Sequence, residues 1–144
     1  MKYGVGIDVS KGKSTVSILS VEGEVIEEPF EINHDLSKLN LLNEKLSTFS
    51  KEDLKIVLEQ TGTYHLPILT YLLDEGYCVI AENPLKIKKY LDRNLRKAKN
   101  DKKDSLKLAE YCCDKLSKIL KKKNFIRKLI KSHKKEDNQK QAKL

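Results

Sequence analysis

Four carboxylates, Asp8, Glu59, Asp101 and Asp104, lie where three separate segments of the chain could bring them together. Asp8 follows the apolar run Tyr3-Gly4-Val5-Gly6-Ile7, and Glu59 ends the run Leu54-Lys55-Ile56-Val57-Leu58. An acid directly after a buried strand is costly unless it is paired or bound to a metal. For Glu59 the alternative is a surface acid at a strand end. Asp101 and Asp104, three apart at the start of a helical pattern, face the same side of a helix. Negative charge also suits a first helical turn on dipole grounds alone, and taken by itself this pair reads more readily that way. Together, four acids on rigid elements supply the oxygen ligands that hard cations require. In a two-metal site such acids hold ions roughly 3.5–4 Å apart, steadying the entering and leaving oxygens of a phosphodiester. Mg²⁺ is the expected cofactor, with Mn²⁺ as a substitute.

The elements that must position these acids follow from patterning. Residues 3–9 read as a buried strand, Ser10-Lys11-Gly12-Lys13 as a turn, and residues 14–20 as a strand with Thr15 and Ser17 on one face and Val16 and Ile18 on the other. After the turn Glu22-Gly23, residues 24–32 form a third strand, and Pro29 within it favours an edge position. Asp35 or Asn33 can cap a helix running to about Phe49, with Leu36, Leu39, Leu42 and Leu46 as its apolar stripe. A strand at 54–59, a helix at 64–75 ended by Gly76, a strand at 77–82 and a helix opening at Pro84 complete the alternation. Residues 96–100 read as a mobile basic joint before a helix from Asp101 to about Leu120. The order βββαβαβα, followed by a further helix, predicts a mixed five-stranded α/β sheet of the RNase H kind, with the fourth strand beside the first. Asp8 and Glu59 then lie at the carboxyl ends of neighbouring strands, where open α/β sheets bind ligands.

Length and charge bound the rest. A chain of 144 residues suits one ordinary domain, here residues 1–120, and a Lys-rich tail of frayed helix or disorder at 121–144. Residues 1–85 carry 7 Lys/Arg against 14 Asp/Glu, net −7, and residues 86–144 carry 22 against 7, net +15. This split suggests that the second half meets a polyanion, although a solvated basic tail fits the tail residues as well. No run approaches the roughly 18–20 apolar residues of a membrane span, and the N-terminus lacks a signal-peptide layout. Cys78, Cys112 and Cys113 form no C-x-x-C pair, which points to a reduced, cytosolic protein.

At Gly6-Ile7-Asp8-Val9-Ser10-Lys11 the sequence resembles the N-terminal RuvC-like domain of the DEDD (Piv-type) transposases. The resemblance continues at Leu58-Glu59-Gln60-Thr61-Gly62-Thr63-Tyr64, similar to E-x-T-G-x-Y, and at Asn83-Pro84. Lys99-Asn100-Asp101-Lys102-Lys103-Asp104-Ser105 is similar to K-T-D-x-x-D-A, with Asn100 and Ser105 in place of the usual Thr and Ala. The likeness spans residues 3 to about 113. It implies a catalytic Mg²⁺ site at Asp8, Glu59, Asp101 and Asp104, and DNA transposition directed by a structured non-coding guide RNA. In that family strand exchange uses a serine from a separate C-terminal domain. No such domain follows here, so a fragment insufficient for full recombination is expected, and Ser10, Ser14 and Ser105 read as turn or cap serines.

The basic run Lys86, Lys88, Lys89, Arg93, Arg96, Lys97, Lys99, Lys102 and Lys103 is the expected nucleic-acid contact, with a solvated helix face as the alternative. Few aromatics interleave it, so duplex or structured RNA read by backbone and shape fits better than a stacking platform. Tyr64 reads equally as a base-stacking and as a packed tyrosine. His34, His65 and His133 share no metal-ligand spacing. A homodimer or higher homo-oligomer is expected, the dimer sealed by the apolar side of helix 101–120. Three other functions compete: a standalone structure-specific nuclease, a non-catalytic RNA-binding fragment, and a remnant of a sugar kinase or ATPase whose phosphate loop would be Gly6-Ile7-Asp8 with the following hairpin.

Overall fold

Side-chain alternation in the first strand decides both faces of the molecule. In the computed structural model, which describes residues 2–94 and 103–142, β1 (Tyr3–Ser10) sends Val5, Ile7 and Val9 into one core and leaves Gly4 and Gly6 on the opposite face. β2 (Lys13–Ser20) pairs antiparallel with β1, and β3 (Val25–Asn33) antiparallel with β2. β4 (Leu54–Glu59) pairs parallel with β1, and β5 (Val79–Glu82) parallel with β4, giving the order β3-β2-β1-β4-β5. The sheet is therefore mixed and five-stranded as expected, with β4 beside β1. Pro29 sits in the edge strand β3, where a missing N–H breaks no pairing on the outer side.

α1 (Leu36–Leu46) and α2 (Leu66–Asp74) cover one face. Asp35 caps α1, its carboxylate accepting the Lys38 amide at 2.9 Å; caps of this kind contribute about 1 kcal/mol. Leu39, Leu42 and Leu46 pack with Val5, Ile7, Ile56, Leu58 and Ile68, whereas Leu36, the first member of the expected stripe, is exposed. Gly76 ends α2 at φ +88°, a conformation that suits glycine.

The opposite face carries α3 (Pro84–Asn94) and α4 (Asp104–Ala142). Val57 of β4 packs there with Ile87, Leu108, Tyr111, Cys112 and Leu116, and Leu19 with Ala109 and Cys113. This corrects the basis of the expected homodimer. The apolar side of α4 seals its own sheet, because Gly4 and Gly6 leave room for a helix whose facing residues, Ser105, Ala109 and Cys113, recur every four positions and are small. The helix does not end at 120. It runs through the Lys-rich stretch to Ala142, and what changes there is burial: Phe125, Ile126, Leu129 and Ile130 are exposed. The expected basic joint at 96–100 lies outside the described residues.

Candidate functional site

Three of the four expected acids, Asp8, Glu59 and Asp104, lie on the α4 face within electrostatic reach of one another. The last β1–β4 pair is Ile7 with Leu58, so Asp8 and Glu59, each the next residue along, leave adjacent parallel strands at one level and on one side. Asp104 is the first residue of α4, directly before Ser105, whose backbone lies against Gly6. The electrostatics register the convergence. Burial, then the charge of Asp104, raises the pKa of Asp8; burial, then Asp8 and Asp104, raises that of Glu59. Lys107 lies 3.7 Å from Asp104 and offsets part of this charge. Asp101 lies outside the described residues, as do Arg96, Lys97, Lys99 and Lys102.

Local chemistry explains the loop that follows Glu59. The Thr61 hydroxyl donates to the Glu59 carbonyl at 3.0 Å, and Gly62 turns the chain at φ +55°. The Thr61 amide donates to His65 Nδ1 at 3.3 Å, so His65 is a buried loop-closing residue. Tyr64 remains exposed beside this loop. His34 accepts or donates a 2.7 Å hydrogen bond with the Ser14 hydroxyl, away from the acids. Ser105, buried, hydrogen-bonds Ser17 at 2.8 Å, and Ser10 donates to the Lys13 carbonyl; these are structural roles. Gly6, a glycine of the alternative phosphate-loop reading, is covered by α4.

One acid escaped sequence reasoning. Glu82 ends β5 in register with Glu59. It accepts from the Tyr111 hydroxyl at 2.8 Å and the Asn83 amide at 3.1 Å, and Lys86 lies 3.8 Å away. Its strand-end position, like that of Glu59, was the available signal. With those partners it acts as a structural acid that ties β5 to α3 and α4.

The donor set suits a hard divalent cation: all ligands are carboxylate oxygens, and their mutual repulsion is what a cation would relieve. Among the described residues no three His, Cys, Asp or Glu groups are already gathered closely enough to hold an ion. Asp8, Glu59 and Asp104 are the residues that would hold it, and a bound cation would supply charge neutralisation at a phosphodiester.

A family model for DEDD transposases of the IS110 type, described as Transposase, matches residues 5–139. The chain belongs to this transposase family. The match covers β1 to β5 and carries on along α4 past residue 120. The fold of this DEDD transposase chain is that of RuvC. A Thermus thermophilus RuvC in complex with a Holliday junction substrate superposes with a TM-score of 0.52, covering 76% of this chain and 91% of that one at 13% identity. A second Thermus thermophilus RuvC structure gives 0.51, covering 75% and 91% at 14% identity. No curated protein sequence matches the chain. Among the described residues, no helix of the transposase chain is long and apolar enough to cross a membrane.

Proposed function

We propose that this chain is the metal- and nucleic-acid-binding RuvC-like part of a guide-RNA-directed DNA transposase. Asp8, Glu59 and Asp104, joined by Asp101, hold Mg²⁺ or Mn²⁺ next to a DNA phosphodiester. The convergence of three acids from β1, β4 and α4 on one face carries the reading. The basic run beginning at Lys86 contacts nucleic acid, with a structured guide RNA and DNA as partners, and self-association uses surfaces other than the buried side of α4. The setting is the bacterial cytoplasm, at the nucleoid.

The test is the RNA that co-purifies with the chain from its native host at moderate salt with Mg²⁺. One discrete structured transcript is expected. A heterogeneous pool that washes off as salt rises overturns the guide-RNA part of the reading.

The fold shared with RuvC supports a second reading, a nuclease acting alone on branched DNA. It requires metal-dependent cleavage of a four-way junction by this chain, abolished in Asp8→Asn. Binding without cleavage returns the chain to the first reading.

A further inference from the structure

A cleft of about 290 Å³ opens between α3 and α4, on the same side of the sheet as the carboxylates. Lys86, Lys89 and Arg93 reach it from α3, at spacings of three and four that place them on one side of that helix. Lys115 and Lys118 reach it from α4. Sequence patterning grouped the first three within the basic run, but only the packing of α4 brings the last two opposite them.

The floor of the cleft is stiff. Tyr90 and Tyr111 meet edge to face, ring centroids 5.0 Å apart. Their hydroxyls are engaged by acids, Tyr111 with Glu82 at 2.8 Å and Tyr90 with Asp114. Burial, then Asp114, pushes the Tyr90 phenol up to about 12, so it stays neutral. The Lys115 ammonium lies 5.4 Å above the Tyr111 ring. Lys86 and Lys118 each have one acidic neighbour, Glu82 at 3.8 Å and Asp114 at 3.1 Å. Among the described residues Lys89, Arg93 and Lys115 make no ion pair, so the cleft keeps an excess of positive charge facing solvent.

A row of phosphates answers that excess, since each nucleotide brings one negative charge. Continuity says which polymer. Glu82, held by Tyr111 and Lys86 of the cleft, is in register with Glu59, so the cleft adjoins the strand ends that carry Asp8 and Glu59. In a transposase the strand delivered to those acids is DNA.

We propose that the α3/α4 cleft grips the phosphate backbone of the DNA arm that leads to the carboxylates, with Lys89, Arg93 and Lys115 as its principal contacts. The inference rests on the function proposed above and adds a binding track to it.

The experiment measures binding of a labelled DNA duplex by fluorescence anisotropy in metal-free buffer across a salt series. It compares the wild-type chain, the double variant Lys89→Glu/Lys115→Glu, and the control Lys128→Glu/Lys131→Glu, which makes the same charge change on the exposed outer part of α4. The cleft variant is expected to lose about tenfold in affinity and to flatten the log–log salt dependence by about 2, one unit per lost phosphate contact. The control is expected to keep the wild-type slope. Lys89→Gln/Lys115→Gln is expected to reproduce the flattened slope, and it answers for any disturbance of the helices by reversed charge. Equal losses in cleft and control variants overturn the inference and leave the metal-site reading intact. An RNA duplex of the same sequence that displaces the DNA, with the same dependence on Lys89 and Lys115, also overturns it. A wild-type chain that binds no duplex DNA overturns both the inference and the DNA partner of the proposed function.

Discussion

Gly6 of β1 and Ala109 of α4 touch through their backbones: a Cβ on Gly6 would overlap the Ala109 amide nitrogen and the Ser105 carbonyl oxygen. Gly4 makes the same approach one pleat earlier, where a Cβ would lie 2.6 Å from the Cys113 sulfur. This contact brings Asp104 close enough for its charge to raise the pKa of Asp8. Gly6→Ala is therefore expected to destabilise the fold by about 3 kcal/mol, the upper end of overpacking effects, because the obstacle is backbone and cannot rotate away. Urea denaturation checks it. A midpoint unchanged from wild type would show that α4 does not sit on β1 as described.

Ser105 stands where the resembled motif has Ala, and its buried hydroxyl is matched by Ser17 at 2.8 Å. Ser17→Ala strands the Ser105 hydroxyl and is expected to cost about 1–3 kcal/mol, whereas Ser17→Ala/Ser105→Ala together should be nearly neutral. A double-mutant cycle by thermal denaturation reads the coupling, and additive losses would contradict the pairing.

The metal site predicts opposite effects of one substitution. Without metal, Asp8→Asn removes a carboxylate that Glu59 and Asp104 repel, and stability is expected to rise slightly. With Mg²⁺ or Mn²⁺ at a hundredfold excess over Kd, the wild-type chain is expected to gain about 2.7 kcal/mol and the variant to lose most of that gain. Melting curves with and without Mn²⁺ check both signs. An equal metal-induced shift in the two proteins would place the ion elsewhere.

The cysteines divide by burial. The Cys112 thiol donates to the Lys55 carbonyl at 3.3 Å, the Cys113 thiol to those of Leu19 and Ser20, and Cys78 is exposed. Burial pushes Cys112 up to about 12 and Cys113 up to about 11. At pH 8 a thiol reagent is expected to label Cys78 alone in the native chain and all three cysteines in denaturant. Both buried thiols stay protonated in the fold while the unfolded chain loses those protons near pH 9. Stability is therefore expected to fall as pH rises from about 9 through 11 to 12. Stoichiometric labelling of Cys112 in the native state would contradict this packing.

Much of this molecule is local and was legible in its residues. Val5, Ile7 and Val9 alternate with Gly4, Gly6 and Asp8, so strand, buried face and candidate acid come from one stretch of chain. Thr61-Gly62 after Glu59 and Gly76 after α2 are turn chemistry of the same local kind. What only the tertiary structure decided depends on surfaces far apart in sequence. The small residues Ser105, Ala109 and Cys113 look like gaps in an apolar stripe until Gly4 and Gly6 are laid against them. Their complementarity turns the stripe of α4 inward, where patterning alone suggested a dimer seam. Glu82 reads as a plain strand-end acid until Tyr111 reaches it from α4, and Lys115 as a surface lysine until α3 brings Lys89 and Arg93 to face it. Periodicity reports which side of an element is apolar; which other surface covers that side is set by shape and charge between segments that meet only in the folded chain.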